Sequence, residues 1–314
     1  MAQIYLPSRK TALGSACAAA ALLAVFWSNQ QYHDNTEASI PTPETYECRP
    51  HTYTTEIVSV DPLLIYINEF LSSEEADLLV ALGTPSLASS EIYISGQKVA
   101  SKTRTSRSGG LPPSSPLVSC ILTRALSFLG LAIPSPPSPP PSSQNPISNQ
   151  NPNPLSLFGT PQIVQYGPGE HFSTHHDWYD RPQLLRDGSM DHVGGGRWWF
   201  NRWGSFFVYL DEEAEGGETW FPHIEARSQS LMPTSSTLKE GEEKDGGEKK
   251  WERNTEEGRG TNFLPRKGNA LFWVNLHGNG TGDERVVHAG REVKGGRKTA
   301  MNLWPRVYYG GGGR

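Results

Sequence analysis

The chain has 314 residues and a formal net charge of −5, which allows one or two domains and disfavours nucleic acid as a partner. Its three cysteines exclude a disulfide-rich scaffold. We expect Cys48 and Cys120 to be free thiols, and they can pair only if the fold brings them close together.

The N-terminal segment contains an apolar run, residues 11–27, directly after Arg9 and Lys10. Its length is near the lower limit for a helix that crosses a bilayer, and the preceding positive charges favour a cytoplasmic N-terminus at residues 1–10. We therefore predict a signal anchor that places the rest of the chain in the lumen. A cleaved signal peptide is the alternative, because the run is short and rich in alanine.

Two helices are predicted in the first half of the chain. Residues 28–55 are polar without clear periodicity and are interpreted as a stalk, so that the folded domain is predicted to span residues 56–309. Ser72 followed by Glu74 and Glu75 is typical of a helix start. A second helix is predicted at residues 116–129, and a strand at residues 91–99.

Two segments are predicted to be disordered insertions. Residues 133–154 are dense in proline, serine and asparagine, and residues 225–262 carry mixed charges that nearly cancel. Such segments bury too little apolar surface to offset the entropy lost on ordering.

From residue 161 onward the sequence has the pattern of short strands bounded by glycine, proline or charge. Seven or eight strands of this kind predict a mainly β domain with flanking helices, a double-stranded β-helix of the jelly-roll or cupin type. The predicted strands cover residues 161–166, 171–177, 205–210, 218–221, 270–276, 285–288 and 299–304.

Three side chains in this region form a candidate metal site. His175 and Asp177 are two residues apart, so on a strand both project to the same face. His288 lies far along the chain and must be brought to them by the fold. Two histidines and one carboxylate are the ligand set of non-haem Fe(II) oxygenases, and they leave coordination positions open for a 2-oxo acid and O2. The other histidines are interpreted as surface or loop residues.

Lys298 follows His288 by ten positions and supplies a positive charge. A buried carboxylate needs such a partner, because burying it unpaired costs several kcal/mol, of order 3 or more. We therefore assign Lys298 to the distal carboxylate of 2-oxoglutarate, with Tyr166 and Thr219 as further hydrogen-bond donors.

Five segments together resemble the collagen-type prolyl 4-hydroxylases. They are "VQYGPGEHFSTHHDWYD", "FFVYLDEEAEGGETWFP", "PRKGNALFWVNL", "DERVVHAGREVKGGRKTAMNLWPR" and, upstream, "SGQKVASKTRTSRSGGL". The resemblance extends from about Pro62 to Arg306. It implies that His175, Asp177 and His288 bind iron, that Lys298 binds 2-oxoglutarate, and that Trp304 lies near the cosubstrate. It also implies that L-ascorbate restores iron oxidised in uncoupled turnovers.

We therefore hypothesise that the chain is an oxygenase that converts peptidyl proline to 4-hydroxyproline. We expect it to be attached to the endoplasmic reticulum membrane, with its catalytic domain in the lumen. Its cofactors are Fe(II), 2-oxoglutarate, O2 and L-ascorbate, and its partner is a proline-containing peptide or protein. One alternative is a related oxygenase acting on lysyl side chains or a free amino acid, and another is a non-catalytic peptide-binding descendant. Secretion after signal cleavage stays open, and the sequence does not indicate the oligomeric state.

Overall fold

A computed structural model describes residues 42–94, 97–100, 103–130, 157–185, 198–226 and 249–309, which all belong to one compact unit that begins at residue 42. The predicted anchor at residues 11–27 and the insertion at residues 133–154 lie outside the described residues. Within the described ranges, no helix is long and apolar enough to cross a bilayer.

Two α-helices precede most of the strands: α1 (Ser73–Gly83) and α2 (Pro116–Leu129). Ser72 caps α1, because its side chain accepts a hydrogen bond from the Glu75 N–H while the Glu75 carboxylate accepts one from the Ser72 N–H. The predicted start of this helix is confirmed. The second helix has the predicted bounds.

The strands are short, and every strand pair in the described ranges is antiparallel. Most of these pairs join strands that are not consecutive along the chain. They are β1 (Thr54–Val60), β2 (Leu63–Asn68), β3 (Ala88–Ser89), β4 (Glu91–Ile94), β5 (Gln97–Ala100), β6 (Arg107–Gly110), β7 (Gln162–Tyr166), β8 (Phe172–His175), β9 (Gln183–Leu184), β10 (Trp199–Arg202), β11 (Gly204–Tyr209), β12 (Glu215–Gly216), β13 (Thr219–Phe221), β14 (Trp251–Arg253), β15 (Thr261–Phe263), β16 (Ala270–Val274), β17 (His288–Gly290), β18 (Val293–Gly295), β19 (Lys298–Leu303) and β20 (Arg306–Tyr309).

Two sheets carry the architecture. The major sheet has eight strands in the order β1-β2-β16-β11-β19-β7-β6-β3, and the minor sheet has five in the order β14-β15-β13-β17-β8. Smaller sheets join β20-β10-β9, β12-β18 and β4-β5. The predicted mainly β jelly-roll class is confirmed, although in the described part of the chain no sheet closes into a hydrogen-bonded barrel.

The two faces of the major sheet bury two separate cores. Along β11, Phe206 and Val208 project into the core that the helices cover, whereas Phe207 and Tyr209 project into the core shared with the minor sheet. This alternation follows from the two-residue period of a strand. The second core surrounds the candidate metal ligands, so the site lies between the two sheets.

Two strand predictions differ from the structure. The single strand predicted at residues 91–99 is a pair, β4 and β5, in which Glu91 lies opposite Ala100. The sequence Ser95-Gly96 between them is typical of a turn. Residues 285–288 were predicted as strand, but Arg285 and Val286 belong to a 3₁₀ turn, Glu284–Val286, that is capped by Asp283. The strand begins only at His288.

Part of the segment predicted to be a charged, disordered insertion is folded. Residues 249–262 contain β14 and the first residues of β15, while residues 227–248 lie outside the described residues. Apolar packing explains the difference, because Trp251 lies against the rings of Tyr66 and Phe263 at centroid distances of 5.3 and 5.9 Å.

The last part of the predicted stalk also belongs to the folded unit. A disulfide joins Cys48 to Cys120 of α2, with Cα atoms 5.5 Å apart, so the expectation of two free thiols is wrong. Tyr46 O–H donates to Glu75 over 2.6 Å, and Ser115 donates to the carbonyl of Pro43. These contacts hold residues 42–48 against both helices. The partners lie far apart along the chain, so no local sequence pattern predicts the contacts.

Candidate metal centre and active site

Three ligating side chains converge where β8 meets β17. His288 lies directly opposite His175 in the antiparallel pairing of these strands, and Asp177 follows two residues after the end of β8. His175 Nε2 is 3.8 Å from Asp177 Oδ1, and His288 Nε2 is 3.9 Å from Asp177 Oδ2. The structure therefore brings together the three residues predicted as metal ligands.

The donor atoms of these residues suit one metal ion. All three lie within 4.8 Å of one another, and no other such group occurs among the described residues. A metal that binds nitrogen and oxygen at about 2.1 Å joins donor atoms up to roughly 4.2 Å apart, so side-chain shifts of a few tenths of an ångström suffice.

Backbone carbonyls fix the tautomers of both histidines. His175 Nδ1 lies 2.8 Å from the carbonyl oxygen of Ser173, and His288 Nδ1 lies 3.1 Å from that of Val286. Because a carbonyl oxygen can only accept, each Nδ1 donates its proton. Each Nε2 then directs a lone pair toward the shared centre.

Hydrogen bonds orient the carboxylate of Asp177. Its Oδ2 accepts from Ser205 Oγ at 2.7 Å and from Trp304 Nε1 at 3.2 Å. Asn275 Nδ2 in turn donates to Ser205 Oγ at 2.9 Å. With Oδ2 held in this way, Oδ1 keeps its lone pairs for a metal ion.

The electrostatics favour the protonation states that bind a metal. Burial, together with the neighbouring His288, lowers the pKa of His175 to about 3. Burial also lowers the pKa of His288. Burial alone raises the pKa of Asp177, but His288, His175 and the Arg202 guanidinium outweigh it and hold that pKa at about 2. At neutral pH the site therefore presents two neutral imidazoles and one carboxylate.

Lys298 is a buried cation in the same cavity. It is 1% exposed, and among the described residues no carboxylate lies within ion-pair distance of its Nζ. Its hydrogen-bond partner is Thr219 Oγ1 at 3.5 Å, which also accepts from Tyr209 O–H at 2.9 Å. Burial lowers the pKa of Lys298 to about 7. An incoming carboxylate would supply the missing counterion.

Tyr166 completes the wall around Lys298. The two residues are direct partners in the pairing of β7 with β19, and Nζ lies 5.5 Å from the centre of the Tyr166 ring. The rings of Phe207 and Tyr209 lie at 5.0 and 5.8 Å from the same nitrogen. These aromatic walls keep the ammonium out of water.

One cavity of about 150 Å³ connects the metal ligands with Lys298. A cavity of roughly this volume accommodates a ligand the size of benzene, so a small dicarboxylate is of a suitable size. The lining residues are Arg104, Gln162, Tyr166, Phe172, His175, His176, Asp177, Arg202, Phe207, Thr219, His288, Gly290, Lys298, Asn302 and Trp304.

Two arginines and two rings form the rim near the metal ligands. The Phe172 ring stacks on His175 with centroids 3.5 Å apart, and the Arg104 guanidinium lies 5.0 Å from the Phe172 centroid. The Arg202 guanidinium lies 3.5 Å from the Trp304 ring centre and donates to the Asp177 carbonyl. The rim is thus cationic.

The structure refines one assigned position and adds several. Trp304, assigned to the cosubstrate pocket, lines the cavity but directs its N–H to Asp177. Ser205 and Asn275, which orient the same carboxylate, were missed by sequence reasoning. A signal for Ser205 was present, because it is the one small polar residue in strand β11 and directly precedes the apolar and aromatic run from Phe206 to Leu210.

His176 lies closer to the site than expected. It lines the cavity, and its ring stacks on Trp178 while its Nδ1 contacts the Trp178 carbonyl. It is nevertheless outside the group of three ligating residues. The arrangement as a whole can hold one divalent metal ion by three ligands and one small carboxylate by a buried ammonium.

Comparison with known proteins agrees with this chemistry. Residues 161–306 match the family model described as the 2OG-Fe(II) oxygenase superfamily, and this range contains every assigned site residue. Prolyl 4-hydroxylase 1 of Arabidopsis thaliana is 27% identical over 256 residues, covering 80% of this chain and 71% of that protein. Prolyl 4-hydroxylase subunit alpha-1 of Gallus gallus is 24% identical over 248 residues, covering 77% of this chain.

The animal relative is much longer than this chain, and the match spans 35% of its length. Among solved structures, the viral collagen prolyl hydroxylase of Paramecium Bursaria Chlorella virus-1, in its 2OG complex, has a TM-score of 0.44 and 20% identity, with 78% of this chain and 96% of that chain covered. A Pseudomonas putida prolyl-4-hydroxylase has a TM-score of 0.40 and 15% identity, with 77% and 91% covered.

Proposed function

We propose that this chain, a member of the 2OG-Fe(II) oxygenase superfamily through residues 161–306, hydroxylates peptidyl proline to 4-hydroxyproline. The observation that carries the proposal is the presence, in one cavity, of three metal-ligating side chains and a buried ammonium without a carboxylate partner among the described residues. The choice of proline is supported by the relatives named prolyl 4-hydroxylase, whose similarity extends over 77–81% of this chain in the longer matches.

Each assigned residue has a distinct task. His175, Asp177 and His288 would hold Fe(II), whose chemistry when bound is the insertion of one oxygen atom of O2 into a substrate C–H bond while 2-oxoglutarate becomes succinate and CO2. Lys298 pairs with the distal carboxylate of 2-oxoglutarate, and Thr219 and Tyr166 line that end of the cavity. Two imidazoles and a carboxylate leave coordination positions free for the cosubstrate and O2.

The walls protect the reaction from water. Phe172 covers one face of His175, and the Arg202–Trp304 stack closes the side of Asp177. A dry site strengthens the attraction between Lys298 and a carboxylate, because the effective dielectric constant there is low. The peptide then has to approach across the rim that Arg104 and Phe172 form.

We further propose that the enzyme works in the endoplasmic reticulum lumen, attached to the membrane by residues 11–27. The Cys48–Cys120 disulfide supports an oxidising compartment, and Arg9 and Lys10 before the apolar run support that orientation. L-Ascorbate is proposed as the reductant that restores Fe(II) after turnovers in which no peptide is hydroxylated.

The decisive assay follows 2-oxoglutarate decarboxylation with proline-rich and lysine-containing peptides, and identifies the product by mass spectrometry. We expect a gain of one oxygen atom on proline. His175→Ala should abolish it, because the metal loses one of three ligands. His223→Ala is the matched control, since His223 is exposed and lies outside the cavity, and it should retain activity. A gain on lysine alone, or on no peptide, would contradict the proposed substrate.

A further inference from the structure

The sequence Asn279-Gly280-Thr281 lies in a turn that the active site does not use. It is the one Asn-x-Ser/Thr sequence with x other than proline in all 314 residues. We propose that Asn279 is an N-glycosylation site. The proposal is independent of the reaction that the enzyme catalyses.

The turn presents Asn279 to solvent. Asn279 and Thr281 are both exposed, and so are the preceding residues His277 and Gly278. An attached glycan would therefore extend into water without displacing any packed side chain. Modification at this position requires no change in the fold.

Local hydrogen bonds arrange the acceptor amide. Asn279 Oδ1 accepts from Thr281 Oγ1 at 2.7 Å and from the Thr281 N–H at 3.0 Å. Both bonds hold the Asn279 amide oxygen against Thr281 and so fix the orientation of the amide group. Among the described residues, no partner engages Asn279 Nδ2, so the nitrogen that would be glycosylated is accessible.

The backbone keeps this arrangement in place. The Gly280 N–H donates to the His277 carbonyl at 2.9 Å, and the His277 N–H donates to the Thr281 carbonyl at 2.8 Å. Gly280 has a φ of +85°, which glycine adopts without strain. An antiparallel β-bridge between Leu276 and Gly282 joins the two ends of the turn. The sequence is thus displayed on a fixed turn.

A second, independent observation indicates that the chain meets a glycosylating compartment. The disulfide between Cys48 and Cys120 requires oxidising conditions, which prevail where secreted proteins fold. There the donor is an oligosaccharide joined to a lipid through a diphosphate. A C–N bond forms between Asn279 Nδ2 and the first sugar, the sugar–phosphate C–O bond breaks, the lipid diphosphate leaves, and the amide loses one proton.

The test expresses the full chain in a eukaryotic secretory host and treats it with peptide-N-glycosidase. We expect a single shift in electrophoretic mobility and conversion of Asn279 to aspartate in the tryptic peptide of residues 268–285. Asn279→Gln and Thr281→Ala should each abolish the shift, whereas Thr281→Ser should keep it. The hydroxylation activity should be the same before and after deglycosylation.

An unmodified Asn279 in protein from that host would overturn the proposal, whether or not the enzyme is active. A mobility shift that persists in Asn279→Gln would overturn it as well, because the carbohydrate would then be attached elsewhere. Neither result would bear on prolyl hydroxylation, which is measured separately in the deglycosylated enzyme.

Discussion

At the scale of single residues, Lys298 links structure to cosubstrate binding most directly. Its ammonium is enclosed by the rings of Tyr166, Phe207 and Tyr209 and contacts Thr219. Burial without a carboxylate disfavours the charged form. A bound carboxylate reverses this effect, so binding of 2-oxoglutarate and protonation of Lys298 must be coupled.

This coupling predicts how affinity depends on pH. Burial lowers the pKa of Lys298 to about 7, so the protonated fraction of the free enzyme falls as the pH rises through that value. The affinity for 2-oxoglutarate should therefore be constant below about pH 7 and decrease above it, by at most about tenfold per pH unit. Anaerobic binding titrations over this range measure it. Lys298→Arg is the control, because a guanidinium stays charged and should flatten the profile.

An affinity that stays constant well above neutral pH would contradict this role of Lys298. An unchanged slope in Lys298→Arg would show that another group titrates.

The Trp304 indole N–H contacts a metal ligand, so removing it tests metal binding separately from cosubstrate binding. Its N–H donates to Asp177 Oδ2, while its ring packs against the Arg202 guanidinium. Trp304→Phe keeps a ring for Arg202 but removes the hydrogen bond. We expect Fe(II) affinity to fall by roughly tenfold, as is common when a group that orients a metal ligand is lost.

Anaerobic Fe(II) titration measures this effect. Trp199→Phe is the matched control, because Trp199 is 42% exposed and lies outside the cavity, and its Fe(II) affinity should be unchanged. Equal losses in the two variants, or none in Trp304→Phe, would show that the indole N–H does not orient Asp177.

At the scale of elements, a buried ion pair fastens the two helices to each other. The Arg124 guanidinium of α2 donates two hydrogen bonds of 2.7 Å to the Glu75 carboxylate of α1 and one to the Phe70 carbonyl. Tyr46 and the Ser72 N–H donate to the same carboxylate. Glu75 thus connects the cap of α1, helix α2 and residues 42–48.

Removing the charge of Glu75 should destabilise the fold. Glu75→Gln leaves Arg124 buried without its counterion, which costs about 3 kcal/mol or more in the free energy of unfolding. Urea unfolding at neutral pH measures this loss. The control is Glu74→Gln, one residue earlier and exposed, which should change stability by less than about 0.5 kcal/mol.

The same pair gives stability a pH dependence. Burial alone raises the pKa of Glu75, but the hydrogen bonds from Arg124 and Tyr46 outweigh it and lower the pKa below its usual value. The stabilisation is therefore complete above the unfolded pKa of about 4.3 and is lost as the pH falls through the lower folded value. Glu75→Gln should lack this component, and an identical acid profile in both proteins would contradict it.

The elements also show what sequence can and cannot predict. The helix at residues 116–129 and the cap at Ser72 were predictable because their signals are local. Strand β14 was not, because its three residues lie in a segment whose charged composition hides the packing of Trp251. The Cys48–Cys120 disulfide spans 72 residues, and a pairing at that separation depends on tertiary structure alone.

At the scale of the whole molecule, the metal ligands and Lys298 could be predicted from the sequence, but the residues that orient Asp177 could not. His175, Asp177, His288 and Lys298 occur in short motifs whose spacing reflects coordination chemistry directly. Ser205 and Asn275 act on Asp177 from 28 and 98 residues away, and only the packing of the two sheets brings them there.

The central claim is that one cavity between two sheets uses O2 to hydroxylate proline in a peptide. The most direct measurement supplies O2 enriched in the heavy oxygen isotope to the enzyme with Fe(II), 2-oxoglutarate and a proline-rich peptide, and locates the label by tandem mass spectrometry. We predict one heavy oxygen atom on C4 of proline and none with His288→Ala. Label absent from the peptide, present on a residue other than proline, or undiminished in the variant would contradict the account.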